Sequence, residues 1–393
     1  MNVIFFETEH RHNLLPLCFT RPVALLRAGI LTVREKWERR LDAACSFRTE
    51  AYLSERFPTT VSDDNLLISA HVCPTDALAE RVSALPPQHG IVWRGVPVAG
   101  RVDRQQALAP LSAAKIRWTE FVGDLDIIRY PWDLTETNGR QLDLDFQLIT
   151  RNRQSASLNG TNRILGENIF VEEGVTANFA VINASDGPVY IGRGAELKEG
   201  ALIHGPVAIC DNATVNMGTR LRPYTTIGPW SKVGGEICQS VILGFTNKAH
   251  DGFLGHSVVG EWCNLGAGTN VSDLKNSYEK VRVWQYPDNK FVRTNLQFCG
   301  IIMGDFSRTG ISSMFNTGTV IGTGCNIYGA GFPRQFIPSF AEGGAHGYTV
   351  NTLKALFKTL AVAMNRRGRE LTDDIQRMLT TLFDMTAKYR NFE

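Results

Sequence analysis

Residues 191–233 read IGRGAELKEGALIHGPVAICDNATVNMGTRLRPYTTIGPWSKV, and an aliphatic residue falls at every sixth position: Ile191, Leu197, Ile203, Ile209, Val215, Leu221, Ile227 and Val233. Four residues after each of the first seven stands a small or modest one: Ala195, Ala201, Val207, Ala213, Thr219, Thr225 and Ser231. A period of six fits neither the 3.6 of a helix nor the 2.0 of a flat strand. It fits a solenoid whose coils have three short faces of six residues each. The aliphatic residue then points into a triangular core and the small one lets the chain turn the corner. Glycine follows the aliphatic residue at 192, 228 and 234, where a tight turn leaves room for little else.

The register resumes on either side. Val259, Leu265 and Val271 carry Cys263 and Thr269 four residues on from the first two. Met303, Thr309, Phe315, Ile321 and Ile327 form a third run, and a poorer one starts near Ile164. A solenoid over residues 155–335 is therefore expected, of about nine coils if each takes three hexads. Two segments interrupt the pattern, FTNKAHDGF at 245–253 and the polar stretch 270–295, and both read as loops thrown out of a rigid repeat.

The flanks differ. Residues 1–145 lack hexads and alternate strand and helix patterns: MNVIFF, CSFRTEAYL, NLLISAHV and GIVWRGVPVAGRV as strands, 31–44 and 75–85 as helices, with Thr75 as a cap. That alternation predicts an α/β layer. Residues 346–393 hold two helical patterns split near Arg367-Gly368, with apolar stripes at Leu353, Leu356, Leu360, Met364 and at Ile375, Met378, Leu379, Leu382, Phe383.

Composition narrows the function. With 41 basic and 39 acidic residues the net charge is +2, which gives no basic footprint for nucleic acid. The opening MNVIFFETEH has no basic segment followed by an apolar stretch, so it reads as a strand and not a secretion signal. No apolar run reaches the length of a bilayer span. Eight cysteines lie scattered without a CxxC pair, which reads as reduced packing thiols and a cytoplasmic location.

The chemistry concentrates in KAHDGFLGHSVVGEWCNLGAGTN, 248–270, together with Arg220-Leu221-Arg222-Pro223 upstream. A histidine in a loop can serve as a base near neutral pH. A forked guanidinium matches phosphate oxygens. These strings resemble the acetyltransferase half of the bifunctional N-acetylglucosamine-1-phosphate uridyltransferase/glucosamine-1-phosphate acetyltransferase family, which has Arg-Leu-Arg-Pro, Lys-Ala, a histidine, an aromatic, Leu-Gly and Asn-aliphatic-Gly-Ala-Gly-Thr in this order. The resemblance implies a left-handed parallel β-helix of hexapeptide repeats, acetyl-CoA as co-substrate, an amino-sugar 1-phosphate as acceptor, and a homotrimer with its sites between subunits. It implies His250 as catalytic base. Arg222, Lys248, Phe253 and Asn264 become substrate contacts, and Ala267 and Gly329 acyl-CoA contacts. Apart from the resemblance, Lys275 is a candidate substrate contact that could replace the phosphate-binding charge missing at Gln239-Ser240, and Arg308, in GDFSRTGI, is a candidate contact for CoA phosphates. His256, six residues on, is a second candidate imidazole.

This chain departs from the family in places. Phe253 stands where the family has a tyrosine, the loop after Lys248-Ala249 is one residue shorter, and no lysine occupies Gln239-Ser240. The first 145 residues resemble the same family's nucleotidyltransferase half in reduced form, a shortened Rossmann-like head. Arg21-Pro22 stands where Lys-Pro would be, and Arg21, Arg27 and Lys36 become candidate nucleotide contacts. FETEHRHN has no glycine with which to approach a triphosphate, and Ala70-His71 occupy the place of the magnesium aspartate. Mg²⁺ is implied only if the head transfers nucleotides. Three readings follow: an N-acetyltransferase, a sugar-1-phosphate nucleotidyltransferase, and a trimeric sugar-nucleotide-binding scaffold. A β-helix carbonic anhydrase would need His204, His250 and His256 to converge with their counterparts on zinc.

Overall fold

The computed structural model describes residues 2–109 and 114–392. They form two compact units, one of residues 1–14, 20–26 and 31–130, the other of 15–19, 27–30 and 131–393.

The first unit is an α/β layer built on the six-stranded sheet that contains Asn2–Phe6, Cys45–Arg48, Asp64–Ser69, His89–Trp93, Val96–Asp103 and Arg117–Glu120. The first three strands run parallel, and Val96–Asp103 runs antiparallel to its neighbours. Helix Val33–Leu41 starts on a capping box: Thr32 accepts from the Glu35 N–H while the Glu35 carboxylate accepts from the Thr32 N–H. Trp37 is buried and donates its indole N–H to the Val72 carbonyl at 2.9 Å. Thr75 caps the helix Asp76–Ser83 by accepting from the Leu78 N–H.

The second unit is the left-handed β-helix that the hexads imply. All its repeat strands pair in parallel, coil upon coil, to give three faces. On the first face Ile191, Ile209 and Ile227 stack at steps of three hexads, and Ile242, Val259, Met303, Ile321 and Ile337 continue the column. Among the described residues that face holds nine strands. The second face stacks Leu197, Val215, Val233 and Lys248. The third stacks Ile182, Ile203, Leu221, Ile237 and Leu254. The column residues are buried throughout.

The apparent break after Val233 is not a loop. The step from Ile227 to Ile242 is three residues short of a full coil, so the sixfold count slips while stacking continues. FTNKAHDGF, expected as a thrown-out loop, contributes strand Asn247–Lys248 to the second face and the first residue of Phe253–Gly255 to the third. Only the corner between them projects. The second interruption is an insertion, and it carries an antiparallel hairpin of Arg282–Gln285 against Lys290–Arg293.

Helix Asp133–Thr150, from the end of the stretch read as head, packs on the first face of the solenoid. Its Asn138 sits at a junction. The side-chain oxygen accepts from the Gly29 N–H at 2.7 Å, and the amide donates to the Tyr224 carbonyl at 2.8 Å and the Thr226 hydroxyl at 3.1 Å. Gly29 has a left-handed φ of +78, and a Cβ there would lie 2.6 Å from both Asp145 and the Gln141 backbone. At the far end, Gly347–Val350 closes the second face by pairing antiparallel to Ala341–Gly344. Helices Leu353–Asn365 and Asp373–Met385 follow, with Leu356, Leu360, Met364, Ile375, Met378, Leu379 and Leu382 buried. None of the helices is long and apolar enough to cross a membrane among the described residues.

Asn138→Ala strands the Gly29 donor and the Tyr224 acceptor together. Urea denaturation is expected to show a loss of about 1–3 kcal/mol.

Candidate active site

The second face and the helix Leu353–Asn365 enclose a groove of about 600 Å³. The corner 249–252 brings His250 to its rim, exposed, and its imidazole makes no hydrogen bond among the described residues. Asn264 opens the strand below with its side chain exposed and its amide likewise unbonded. Ala267, at the Gly-Ala-Gly corner, lines the groove, and its N–H has no partner among the described residues. Arg308 lines it one coil further on, through the pairing of Asn264 with Arg308.

The electrostatics of the groove are one-sided. Lys232, Arg308, Arg366 and Arg367 line it and, among the described residues, no carboxylate does. Burial holds the Lys232 ammonium below the ordinary lysine range, and the neighbouring Arg367, Lys198 and Arg366 add to this. Burial also lowers Arg308 and Arg367, the latter further through Arg366. Arg367 is fixed by donating to the Asn247 side-chain oxygen at 2.8 Å. Two aromatic rings floor one end: Phe245 and Trp262 stack 4.4 Å apart at 11°, and Trp230 continues the stack 6.4 Å from Phe245. All three sit at corners with left-handed φ of 53 to 61°.

The groove unites His250, Asn264, Ala267 and Arg308 from the sequence expectations and leaves the others elsewhere. Lys248 occupies the inward place of its hexad between Val233 and Leu265, 2 % exposed. Its Nζ donates to the Gly234 and His250 carbonyls at 3.0 and 2.8 Å, so it shapes the corner from inside and does not meet a ligand. Arg222 lies on the third face, half exposed, paired with Glu236 at 3.1 Å. Phe253 begins a third-face strand and its N–H bonds to Asn270. Gly329 lines a small separate hollow beside Tyr328 and Met314. Lys275 pairs with Glu279 at a different cleft. His256 is on the far side of the third-face strand from the groove: Asp273 meets its Nδ1 at 2.7 Å and Phe298 stacks on its ring at 5.0 Å.

In the first unit, Arg21 and Lys36 are buried; in the second, Arg27 is buried and turns its guanidinium to the Ile30 carbonyl. None presents a cation to solvent as a nucleotide contact would require. Where a glycine-rich loop would follow the first strand, Glu9–Leu14 forms a 3-10 turn. Glu7 is tied to Arg11, Thr49 and the Val23 N–H. His71 spends both ring nitrogens, one on the Ile128 carbonyl and one accepting from the Thr8 N–H, and burial pushes it down to about 4. A neutral, fully bonded imidazole beside an alanine does not suit Mg²⁺, which takes oxygen ligands. Among the described residues no three His, Cys, Asp or Glu gather as metal donors.

Arg366, Arg367, Phe245 and Trp262 went unread in the sequence. The aromatics had a signal: 230, 245 and 262 are separated by the shortened coil lengths of that region. The arginines had none, because they come to the groove through the packing of a helix a hundred residues away.

Residues 3–154 match the family model for sugar nucleotidyl transferases. The chain is similar to the bifunctional sugar-1-phosphate nucleotidylyltransferase/acetyltransferase of Sulfurisphaera tokodaii, 28% identical over 217 residues, which is 54% of this chain and 47% of that protein. It is 34% identical over 110 residues to the bifunctional protein GlmU of Methanocaldococcus jannaschii, 27% of this chain and 26% of that one. The chain thus spans about half or less of the length of these curated relatives. These matches make it similar to the bifunctional enzymes that its motifs resemble. Among solved structures, Arabidopsis UDP-N-acetylglucosamine acyltransferase aligns with 60% of this chain and 82% of its own at 14% identity and a TM-score of 0.30. The β-helix is established by the chain's own strand pairing.

Lys248 gives the site a pH signature. Burial lowers it from the ordinary 10.5 to about 8. Between these values the unfolded chain binds the proton and the folded chain does not, so stability rises with pH across that window. Thermal melts from pH 8 to 10.5 are expected to show this rise relative to Lys248→Met, and parallel curves for the two proteins would refute it.

Proposed function

We propose that the groove is the site of an acetyl-CoA-dependent N-acetyltransferase acting on an amino-sugar 1-phosphate. One observation carries the reading: an exposed, unbonded imidazole stands at the rim of an acid-free groove lined by four cations and a stacked aromatic pair. CoA brings phosphates that suit Lys232, Arg308, Arg366 and Arg367, an adenine that suits an aromatic face, and a thin acyl arm that suits the Gly-Ala-Gly corner. The relatives named above, one of them an acetyltransferase by name, support the same class.

In this reading the acceptor's amine attacks the thioester carbonyl. His250 takes the proton that the amine sheds, and the thiolate of CoA leaves as the carbonyl reforms. The Ala267 N–H, unbonded in the free protein, donates to the oxyanion. Asn264 orients the sugar. Arg222 and Phe253 lie on another face, so the acceptor's phosphate reaches Arg222 only from a neighbouring subunit, which makes a homotrimer with shared sites part of the proposal. Monomeric mass by light scattering would contradict it.

A second reading, nucleotidyl transfer by residues 1–130, is favoured by the family match to residues 3–154. The buried basic residues, the glycine-free turn and the occupied His71 speak against it. Release of pyrophosphate from a nucleoside triphosphate and a sugar 1-phosphate would restore it.

The test is release of free thiol from acetyl-CoA with glucosamine 1-phosphate. His250→Ala is expected to lower turnover by roughly 10²–10⁴-fold, and unchanged turnover sinks the assignment. Arg366→Gln with Arg367→Gln is expected to raise the KM for acetyl-CoA by about tenfold or more while kcat changes little.

A further inference from the structure

The insertion between the third-face strand Asn270–Val271 and the first-face strand Ile302–Met303 holds a second basic feature, away from the groove. Its hairpin pairs Arg282 directly opposite Arg293, and Trp284 opposite Phe291. Side chains alternate across a strand. Val283 and Gln285 are buried, so the outward side carries the arginine pair and the aromatic pair. Lys275, Lys280 and the lone acid Glu279 complete a cleft of about 350 Å³ with these arginines.

The charge arrangement is unfavourable as it stands. Like charges directly opposite on paired strands destabilise a sheet. Glu279 is 3.8 Å from Lys275. The side chains of Lys280, Arg282 and Arg293 make no ion pair or hydrogen bond among the described residues. The ribbon that holds them is fixed nonetheless. Trp284 stacks on Phe336 at 4.2 Å, and the hairpin's base is closed by Val281 N–H to the Leu296 carbonyl at 2.9 Å and Thr294 N–H to the Val281 carbonyl at 3.1 Å. Gly318 has a φ of +66 and passes so close that a Cβ there would lie 2.4 Å from the Arg282 carbonyl. Two arginines therefore stand directly opposite each other on a fixed ribbon, and the cleft's one carboxylate, Glu279, sits against Lys275 instead of them.

We infer that this cleft is an anion site for a phosphate monoester or diphosphate group, distinct from the groove. A single carboxylate would leave most of the charge uncompensated, whereas a diphosphate answers three cations at once. Paired forked guanidiniums match its oxygens bidentately. The site does not depend on acyl transfer in the groove and stands or falls separately from it.

Isothermal titration with inorganic pyrophosphate, at ionic strength fixed with potassium chloride, tests the inference. The groove also attracts anions, so the titration uses the full chain carrying Arg366→Gln and Arg367→Gln. Pyrophosphate binding is expected to persist there, and to weaken by roughly 10–100-fold when Arg282→Gln and Arg293→Gln are added. Equal binding with and without the hairpin arginines overturns the site, as does binding already abolished by the groove substitutions. Competition by glucose 1-phosphate identifies a sugar phosphate as the ligand type, and competition by CoA alone a nucleotide diphosphate. A melting readout guards against misfolding. Without ligand, Arg282→Gln/Arg293→Gln is expected to melt no lower than the parent, because it removes repulsion, and pyrophosphate is expected to raise the parent's melting temperature only. A ligand-free variant that melts several degrees lower shows that the arginines serve the fold, and refutes the proposal.

Discussion

Every feature of the second unit answers to one constraint: each coil must hydrogen-bond in parallel register to the coil before it, with one inward side chain per face. The columns that begin at Ile191, Leu197 and Ile182 are the visible result. The constraint is strong enough to carry a lysine into the core. Lys248 occupies an inward place that its neighbours fill with Val233 and Leu265, and two backbone carbonyls take up its amine. An amine donating two hydrogen bonds to two carbonyls satisfies buried polar groups at a place where an aliphatic chain would leave the corner unsupported. The corner it supports is the one that exposes His250, so a departure from the repeat and the candidate base are physically linked.

The same constraint sorts chemistry by face. Residues close in sequence separate when a corner falls between them, as His250 and Phe253 do. Residues far apart converge when they share a face, as Asn264 and Arg308 do. A motif string read along the chain therefore mixes two or three surfaces. The Arg-Leu-Arg-Pro and Lys-Ala strings belong to one resemblance, yet Arg222 lies beside Glu236 on the third face while the groove opens on the second.

Legibility followed the range of the interactions. The hexads are local, so the β-helix was readable from a single 43-residue stretch, as were Thr75 as a cap and the apolar stripes of the last two helices. The motif string led to His250, Asn264 and Ala267, which share the groove with Arg308, a candidate read separately from GDFSRTGI. The shortened coil at Ile227–Ile242 was misread as the approach to a loop, because a slipped period and a broken one look alike until strand partners are known. Lys248 was misread as a ligand contact because charge in a motif suggests exposure. Arg366 and Arg367 were unreadable, since only the docking of a helix places them opposite Lys232 and Arg308. In the head, the missing glycines were legible, but the burial of Arg21 and Lys36 was not, because arginine and lysine are seldom wholly buried.

The reversed strand Gly347–Val350 bears on how long this solenoid can become. A parallel β-helix offers at its last coil an open template on which the next coil, from any chain, could pair. Here the final strand of the second face runs the opposite way, so an incoming coil of the same polarity would have to pair with it antiparallel, outside the parallel register of the repeat. On the first face, Tyr389 sets its ring against Phe336 in the terminal strand, and Phe383 packs on Phe340 just beyond it. The last coil thus ends in two features that the repeat does not continue, a reversed strand on one face and an aromatic cover on another, with no charged side chain in the reversed strand.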